Sequence, residues 1–194
     1  AIARETGASG VYWNRRYEPA VVQRDTRIKE ALGAAGLEAL SFNGSLLREP
    51  WAVRSKTGGP YQVFTPFWRA CLALEDPAPP ALPPKHLPAP DDWPEGLPLR
   101  ALELEPRLNW ADGFRSGWRP GVAGAREQLD VFLRDALPRY ASGRDQPAER
   151  GTSRLSPHLH FGEVSPREIW HTVRTFAEKT GWRDWRGSQF LTEL

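Results

Sequence analysis

The chain has 194 residues, a formal charge of +2, nine Trp, one Cys and no Met. It is long enough for one or two domains with a real core. Cys71 alone excludes a disulfide framework and a cysteine zinc finger, and no apolar run nears the ~20 residues of a membrane-spanning helix. Aromatic residues make up 11% of the chain, which argues against disorder. No charged-then-apolar start suggests a signal peptide. The near-even charge does not announce nucleic acid. The basic residues are mostly Arg, as a GC-rich coding bias produces, so each Arg needs its own argument. The missing Met and the abrupt Ala1-Ile2-Ala3-Arg4 start predict an internal piece of a longer protein.

Residues 1 to about 75 alternate strand-like and helix-like patterns. Val11-Tyr12-Trp13 is a β-prone run after Gly10. Ala20 to Ala35 carries Val21, Ile28, Ala31, Leu32 and Ala35 at helical spacing, and Gly36 suits the position beyond a helix end. Leu37 to Phe42 reads as the next strand. This order predicts part of an α/β domain with a parallel sheet, and only part, because two strands do not make an independent sheet. Thr65-Pro66 predicts a further helix through Phe67, Trp68, Cys71 and Leu72, with Thr as its cap.

Residues 76–119 hold ten of the 19 Pro, too many for a helix or a central strand. They predict an extended connector whose Trp93, Trp110 and Trp118 pack over a surface. Residues 120–194 read as helices. Val122, Ala125, Leu129, Phe132, Leu133, Ala136 and Leu137 form one apolar stripe. Ser165-Pro166-Arg167-Glu168 has the form of a capping box, with Ile169, Trp170, Val173 and Phe176 as the buried face behind it. Gly181 ends that helix, and Trp182 to Leu194 predicts another.

Chemistry concentrates in Tyr140-Ala-Ser-Gly-Arg144-Asp145 and in Gly151-Thr152-Ser153-Arg154-Leu155-Ser156-Pro157-His158-Leu159-His160-Phe161-Gly162-Glu163. Three hydroxyls fall within five residues, Gly151 allows a tight turn, and Ser156-Pro157 signals a helix start. Hydroxyls and free amides before a helix suit an anion, and Arg144, Arg150 and Arg154 add charge. A phosphate or pyrophosphate fits this loop, although such clusters are usually plain caps.

Residues 151–167 closely resemble the flavin-binding signature of the DNA photolyase/cryptochrome family. Tyr140 stands at the family spacing, twelve residues before Thr152. Gly59-Pro60-Tyr61-Gln62-Val63-Phe64-Thr65-Pro66-Phe67-Trp68 looks like that family's junction after the antenna domain, and Trp13 to Pro19 with Arg24-Asp25 is similar to its antenna segment. Phe190-Leu191-Thr192-Glu193-Leu194 looks like the start of its next motif. The matches run in family order along nearly the whole chain and most resemble a bacterial class I cyclobutane pyrimidine dimer photolyase.

The resemblance implies an α/β then all-α fold. Residues 1–75 would be the C-terminal part of a Rossmann-like antenna domain, 76–119 a long Pro-rich connector, and 120–194 the first helices of a helical FAD-binding domain. Tyr140, Thr152, Ser153, Arg154, Leu155, Ser156 and Phe190 would bind FAD. Arg144 would hold a DNA phosphate, and Glu193 would hydrogen-bond the damaged pyrimidine pair. The implied reaction is light-driven splitting of the dimer by an electron from reduced FAD, after the damaged pair has been flipped out, as photolyases do. No acid–base triad is then required, and no residue in this stretch is assigned a catalytic role. The implied setting is a cytoplasmic monomer acting on UV-damaged DNA, away from membranes. A second chromophore, folate or deazaflavin, stays open, because Pro19-Ala20-Val21-Val22 lacks the acid that many folate-binding relatives place there. The 194-residue chain alone is expected neither to hold FAD tightly nor to repair DNA.

Rival readings are weaker. His158, His160 and Glu163 do not share a helix face, so no metal site is expected. Ser156, His171 and Asp145 lack a Gly-x-Ser-x-Gly elbow. No Gly-x-Gly pattern marks an NAD site, and Trp170, Trp182 and Trp185 read as packing residues. Two further alternatives are a cryptochrome-type blue-light receptor without repair and a helical domain whose Ser/Thr loop only caps a helix.

Overall fold

The structure, a computed structural model, describes residues 1–194. The chain divides into two compact units, Ala1–Asn43 with Leu82–Trp118, and Gly44–Ala81 with Arg119–Leu194. This differs from the three-part reading. Residues 44–75 group with the helical region, and the Pro-rich stretch is shared between the units. No helix is long and apolar enough to cross a membrane.

In the first unit, α1 (Ile2–Glu5) precedes β1 (Gly10–Asn14), α2 (Pro19–Ala34) and β2 (Glu38–Phe42). The strands pair in parallel from Gly10 opposite Glu38 to Asn14 opposite Phe42. A parallel pair needs a crossover, and α2 supplies it. Pro19 opens α2, and Gly36 follows it at φ +74°, a conformation costly for any residue with a Cβ. The apolar stripe read on α2 is not a buried face. Ile28 is 41% exposed, and the only buried residue of the helix is Asp25. Asp25 accepts a hydrogen bond from Trp13 Nε1 at 3.1 Å and pairs with Arg24 at 2.7 Å. Lys29 lies over the Trp13 ring and donates to Ser41 Oγ at 2.8 Å. Polar contacts therefore tie α2 to the sheet.

Residues 82–118 contain a 3-10 turn (Leu99–Leu102) and α4 (Asp112–Gly117). The expected packing of the interspersed Trp residues is not observed for two of them. Trp93 and Trp110 are 73% and 69% exposed, and the Trp110 ring lies edge to face with its local neighbour Phe114 at 6.1 Å.

The second unit opens with α3 (Phe64–Ala73), which starts one residue before Thr65. Val63 occupies the cap position and no side chain caps the helix, so Thr65 lies within the first turn. Next come α5 (Val122–Asp135), a 3-10 turn (Leu137–Arg139), α6 (Tyr140–Gly143), α7 (Ser156–His160) and α8 (Pro166–Thr180). The continuous helix expected from Trp182 is instead a 3-10 turn (Trp185–Gly187) and the short α9 (Gln189–Thr192). Ser188 caps α9 by accepting from Leu191 N.

The core joins α5 and α8 with the segments between and beyond them. Ala125, Ile169, Val173, Phe132, Leu155 and Leu191 are at most 1% exposed. Leu47, Trp68 and Leu72 pack against this core from the earlier segment. That segment is pinned by Asp76, which pairs with Arg174 at 3.3 Å and Arg186 at 3.0 Å, and by Pro77, whose carbonyl accepts from His171 Nε2 at 2.7 Å. Half of the capping box forms. Ser165 Oγ accepts from Glu168 N, while the Glu168 carboxylate pairs with Arg126 at 3.1 Å.

Candidate functional site

The core places an aromatic triangle beneath α6 and α9. Phe132 of α5, Tyr140 of α6 and Phe190 of α9 lie with ring centroids 4.6–5.6 Å apart. Phe190 is 5% exposed, whereas the Tyr140 hydroxyl reaches outward and donates to Glu193 Oε2 at 2.6 Å. Gln189 Nε2 donates to Glu193 Oε1 at 2.6 Å. The Arg144 guanidinium pairs with the same Glu193 oxygen and with Asp145 at 3.3 Å. Arg144 and Glu193 are about one-third exposed, so the cluster faces solvent from an apolar floor. A carboxylate has about four lone-pair positions. Three donors from this chain therefore leave Glu193 able to accept from an incoming N–H group.

The loop between α6 and α7 is anchored from behind. Leu155 is 1% exposed, Gln128 Nε2 of α5 donates to Ser153 O at 3.1 Å, and Leu155 N donates to Ser153 Oγ at 3.4 Å. Thr152, Arg154 and Ser156 face outward. The residue that takes the left-handed turn is Arg154, at φ +53°. Gly151 has no positive φ and is required for a different reason. A Cβ there would stand 2.1 Å from Gly143 O, so the loop and α6 meet backbone to backbone. The helix start at Ser156-Pro157 is present as the five-residue α7, with no side chain capping it.

These residues fit a cofactor that carries phosphates and an apolar ring. The outward hydroxyls of Thr152 and Ser156 lie on a loop backed by Leu155 and Gln128, and the half-buried Tyr140 ring, packed edge to face on buried Phe190, offers an apolar edge. The two imidazoles of the following segment separate. His158 is buried and its Nδ1 lies 2.5 Å from Glu163 Oε2, whereas exposed His160 packs edge to face on Phe161. The hydrogen bonds from His158 and from the Gly121 amide hold the Glu163 carboxyl below its ordinary pKa.

A sequence profile described as DNA photolyase matches residues 1–88. The deoxyribodipyrimidine photo-lyase of Agrobacterium fabrum is 47% identical over 174 residues, covering 89% of this chain and 36% of that protein. Arabidopsis thaliana cryptochrome-1 is 37% identical, over 89% of this chain and 26% of its own length. The chain belongs to the DNA photolyase/cryptochrome family. A crystal structure titled a bacterial class III photolyase from Agrobacterium tumefaciens superposes with a TM-score of 0.90 at 44% identity, covering 98% of this chain and 39% of that one. The chain thus spans about a third of the length of the photolyases it matches. Class I is the class expected from the motifs, and it is not the class that this structural neighbour carries.

Within this family chain, Tyr140, Arg144, Phe190 and Glu193 come together across 53 residues of sequence. The Thr152–Ser156 loop joins α6 through the Gly143–Gly151 approach. Gln128 and Gln189, which hydrogen-bond Ser153 and Glu193 of the candidate site, are residues that the sequence reading missed. Gln189 could have been found from its i,i+4 spacing to Glu193 on one helix. No local signal marks Gln128.

Proposed function

We propose that this chain is the segment of a longer DNA photolyase that joins a Rossmann-like antenna domain to a helical FAD-binding domain, and that the whole enzyme repairs cyclobutane pyrimidine dimers in light. The observation that carries the reading is the Tyr140–Arg144–Phe190–Glu193 cluster, assembled from motif residues distant in sequence. Support also comes from relatives named deoxyribodipyrimidine photo-lyase. Class III is the proposed subdivision, after the 44% identical neighbour.

Bound reduced FAD would supply the excited electron for ring splitting. Thr152, Ser153, Arg154, Leu155 and Ser156 would bind its phosphates and ribityl chain through hydroxyls and amides, with Tyr140 and Phe190 beside it. Arg144 orients Glu193 through their ion pair and holds a DNA phosphate when the damaged strand docks. Glu193, with a lone pair to spare, accepts an imide N–H of the damaged pyrimidine and fixes its position. These groups bind and orient, and none takes a proton from substrate.

The similarity to cryptochrome-1 favours one second reading, a blue-light receptor that keeps the flavin and lacks repair. The full-length protein, irradiated with blue light on thymine-dimer DNA, separates the two. Restored thymines are expected. A flavin-loaded protein that restores none would overturn the enzyme reading.

A further inference from the structure

We propose that Gln189 is a positioning residue for the Glu193 carboxylate, and that it keeps Oε2, beside the Tyr140 hydroxyl, open to an N–H donor of the damaged base. The proposal rests on the substrate reading of Glu193 given above. Gln189 itself has no part in that reading.

The donors of this chain are shared unevenly between the two carboxylate oxygens. Oε1 takes two, Gln189 Nε2 at 2.6 Å and Arg144 Nη1. Oε2 takes one, the Tyr140 hydroxyl at 2.6 Å. At about two lone-pair positions per oxygen, Oε1 is filled and Oε2 keeps one position free. The free acceptor therefore lies next to the Tyr140 hydroxyl, on the side of the ring that packs edge to face on Phe190.

A guanidinium facing a carboxylate commonly takes both oxygens with its fork. That geometry would fill the position the substrate needs. Here only Nη1 of Arg144 meets Glu193, at Oε1, while Nε turns to Asp145 at 3.3 Å. Gln189 on Oε1 and Tyr140 on Oε2 hold the carboxylate against rotation into the fork. The helix places Gln189 for this task. It stands four residues before Glu193 on α9, and α9 is fixed by the Ser188 cap and by Phe190 and Leu191, 5% and 1% exposed. Gln189 is exposed, so its amide orients Glu193 without adding to the core. The amide is also neutral, and it donates without competing for the negative charge.

The test uses the full-length, flavin-loaded protein and an oligonucleotide carrying one thymine dimer, with its undamaged counterpart as reference. Gln189→Leu should lower the preference for the dimer by about 2- to 10-fold, the net worth of one ordinary hydrogen bond. Flavin absorbance and melting temperature should stay at the unmodified values. In a Glu193→Ala background the same substitution should change nothing further, because its effect runs through Glu193. Gln189→Glu adds a pH signature. Protonated, the new carboxyl donates as the amide does; ionised, it repels Glu193. Its dimer preference, divided by that of the unmodified protein at each pH, should therefore fall as pH rises. Tyr140, Arg144 and Asp145, the other titratable neighbours, are common to both proteins and cancel in that ratio.

Unchanged preference in Gln189→Leu, an additive effect in the Glu193→Ala background, or a ratio independent of pH would overturn the positioning role. If Glu193→Ala also leaves the preference intact, the reading of Glu193 fails and the positioning role fails with it. If Glu193→Ala lowers the preference and Gln189→Leu does not, the positioning role alone fails.

Discussion

The sheet region (residues 10–42) and the helical region (residues 122–191) use their large apolar side chains in opposite ways. In the sheet region Tyr12, Leu40 and Phe42 are 56%, 42% and 54% exposed, and the buried side chain is a carboxylate, Asp25. In the helical region Phe132, Ile169 and Trp170 are at most 2% exposed. Parallel strands are ordinarily covered on both faces, and within these 194 residues the two strands are joined by their backbone ladder and by polar ties such as Trp13 to Asp25. The helical region has a conventional apolar core, and its polar cluster is mounted on that core. Stability and candidate chemistry therefore reside in the same region.

The sharpest way to break this contrast is to truncate one ring in each region. Phe132→Ala should cost about 3–5 kcal/mol and loosen the aromatic triangle, whereas Phe42→Ala should stay within about 0.5 kcal/mol. Denaturant melts of the two variants measure the difference, and equal costs would erase the distinction. Gly151→Ala tests the backbone approach to Gly143. The new methyl must displace backbone, for a cost of about 1–3 kcal/mol by chemical denaturation. Ser165→Ala should cost about 1 kcal/mol through the lost bond to Glu168 N, seen as a lower melting temperature.

The smallest effect is one of pH. The Glu163 carboxyl is held below its ordinary value, so the folded state binds fewer protons there than the unfolded chain. Its stabilisation is complete above the unfolded value of about 4.3 and is lost as pH falls through the folded value. Thermal melts between pH 6 and 3, a range set by that ~4.3 reference, should fall less steeply for Glu163→Gln than for the unmodified chain.

Local spacing made much of the helical region legible. The Ser165 cap, the Gly181 end of α8 and the apolar stripe from Val122 to Leu137 all depend on neighbours within a few residues, and the stripe is buried from Ala125 onward while Val122 itself is 48% exposed. The same logic failed where a longer-range partner decides. Gly151 reads as a turn residue, yet Gly143 explains it and Arg154 makes the turn. Trp182 to Leu194 reads as one helix, but the 3-10 turn at Trp185–Gly187 interrupts it and packs the Trp185 ring on Trp170. The α2 stripe has helical spacing without a buried face, because periodicity reports the helix and not what covers it. Family motifs brought Tyr140, Arg144, Phe190 and Glu193 to notice one by one. Their convergence, with the Tyr140 hydroxyl on Glu193, is a tertiary fact that spacing does not contain.

The most direct test of that convergence is the rate of thymine-dimer repair by full-length Glu193→Ala under blue light, with flavin absorbance read on the same sample. The account predicts flavin retention near that of the unmodified protein and repair slower by about 5- to 100-fold, the equivalent of ~1–3 kcal/mol for one lost hydrogen bond to a charged group. Repair at the unmodified rate with flavin intact would contradict it.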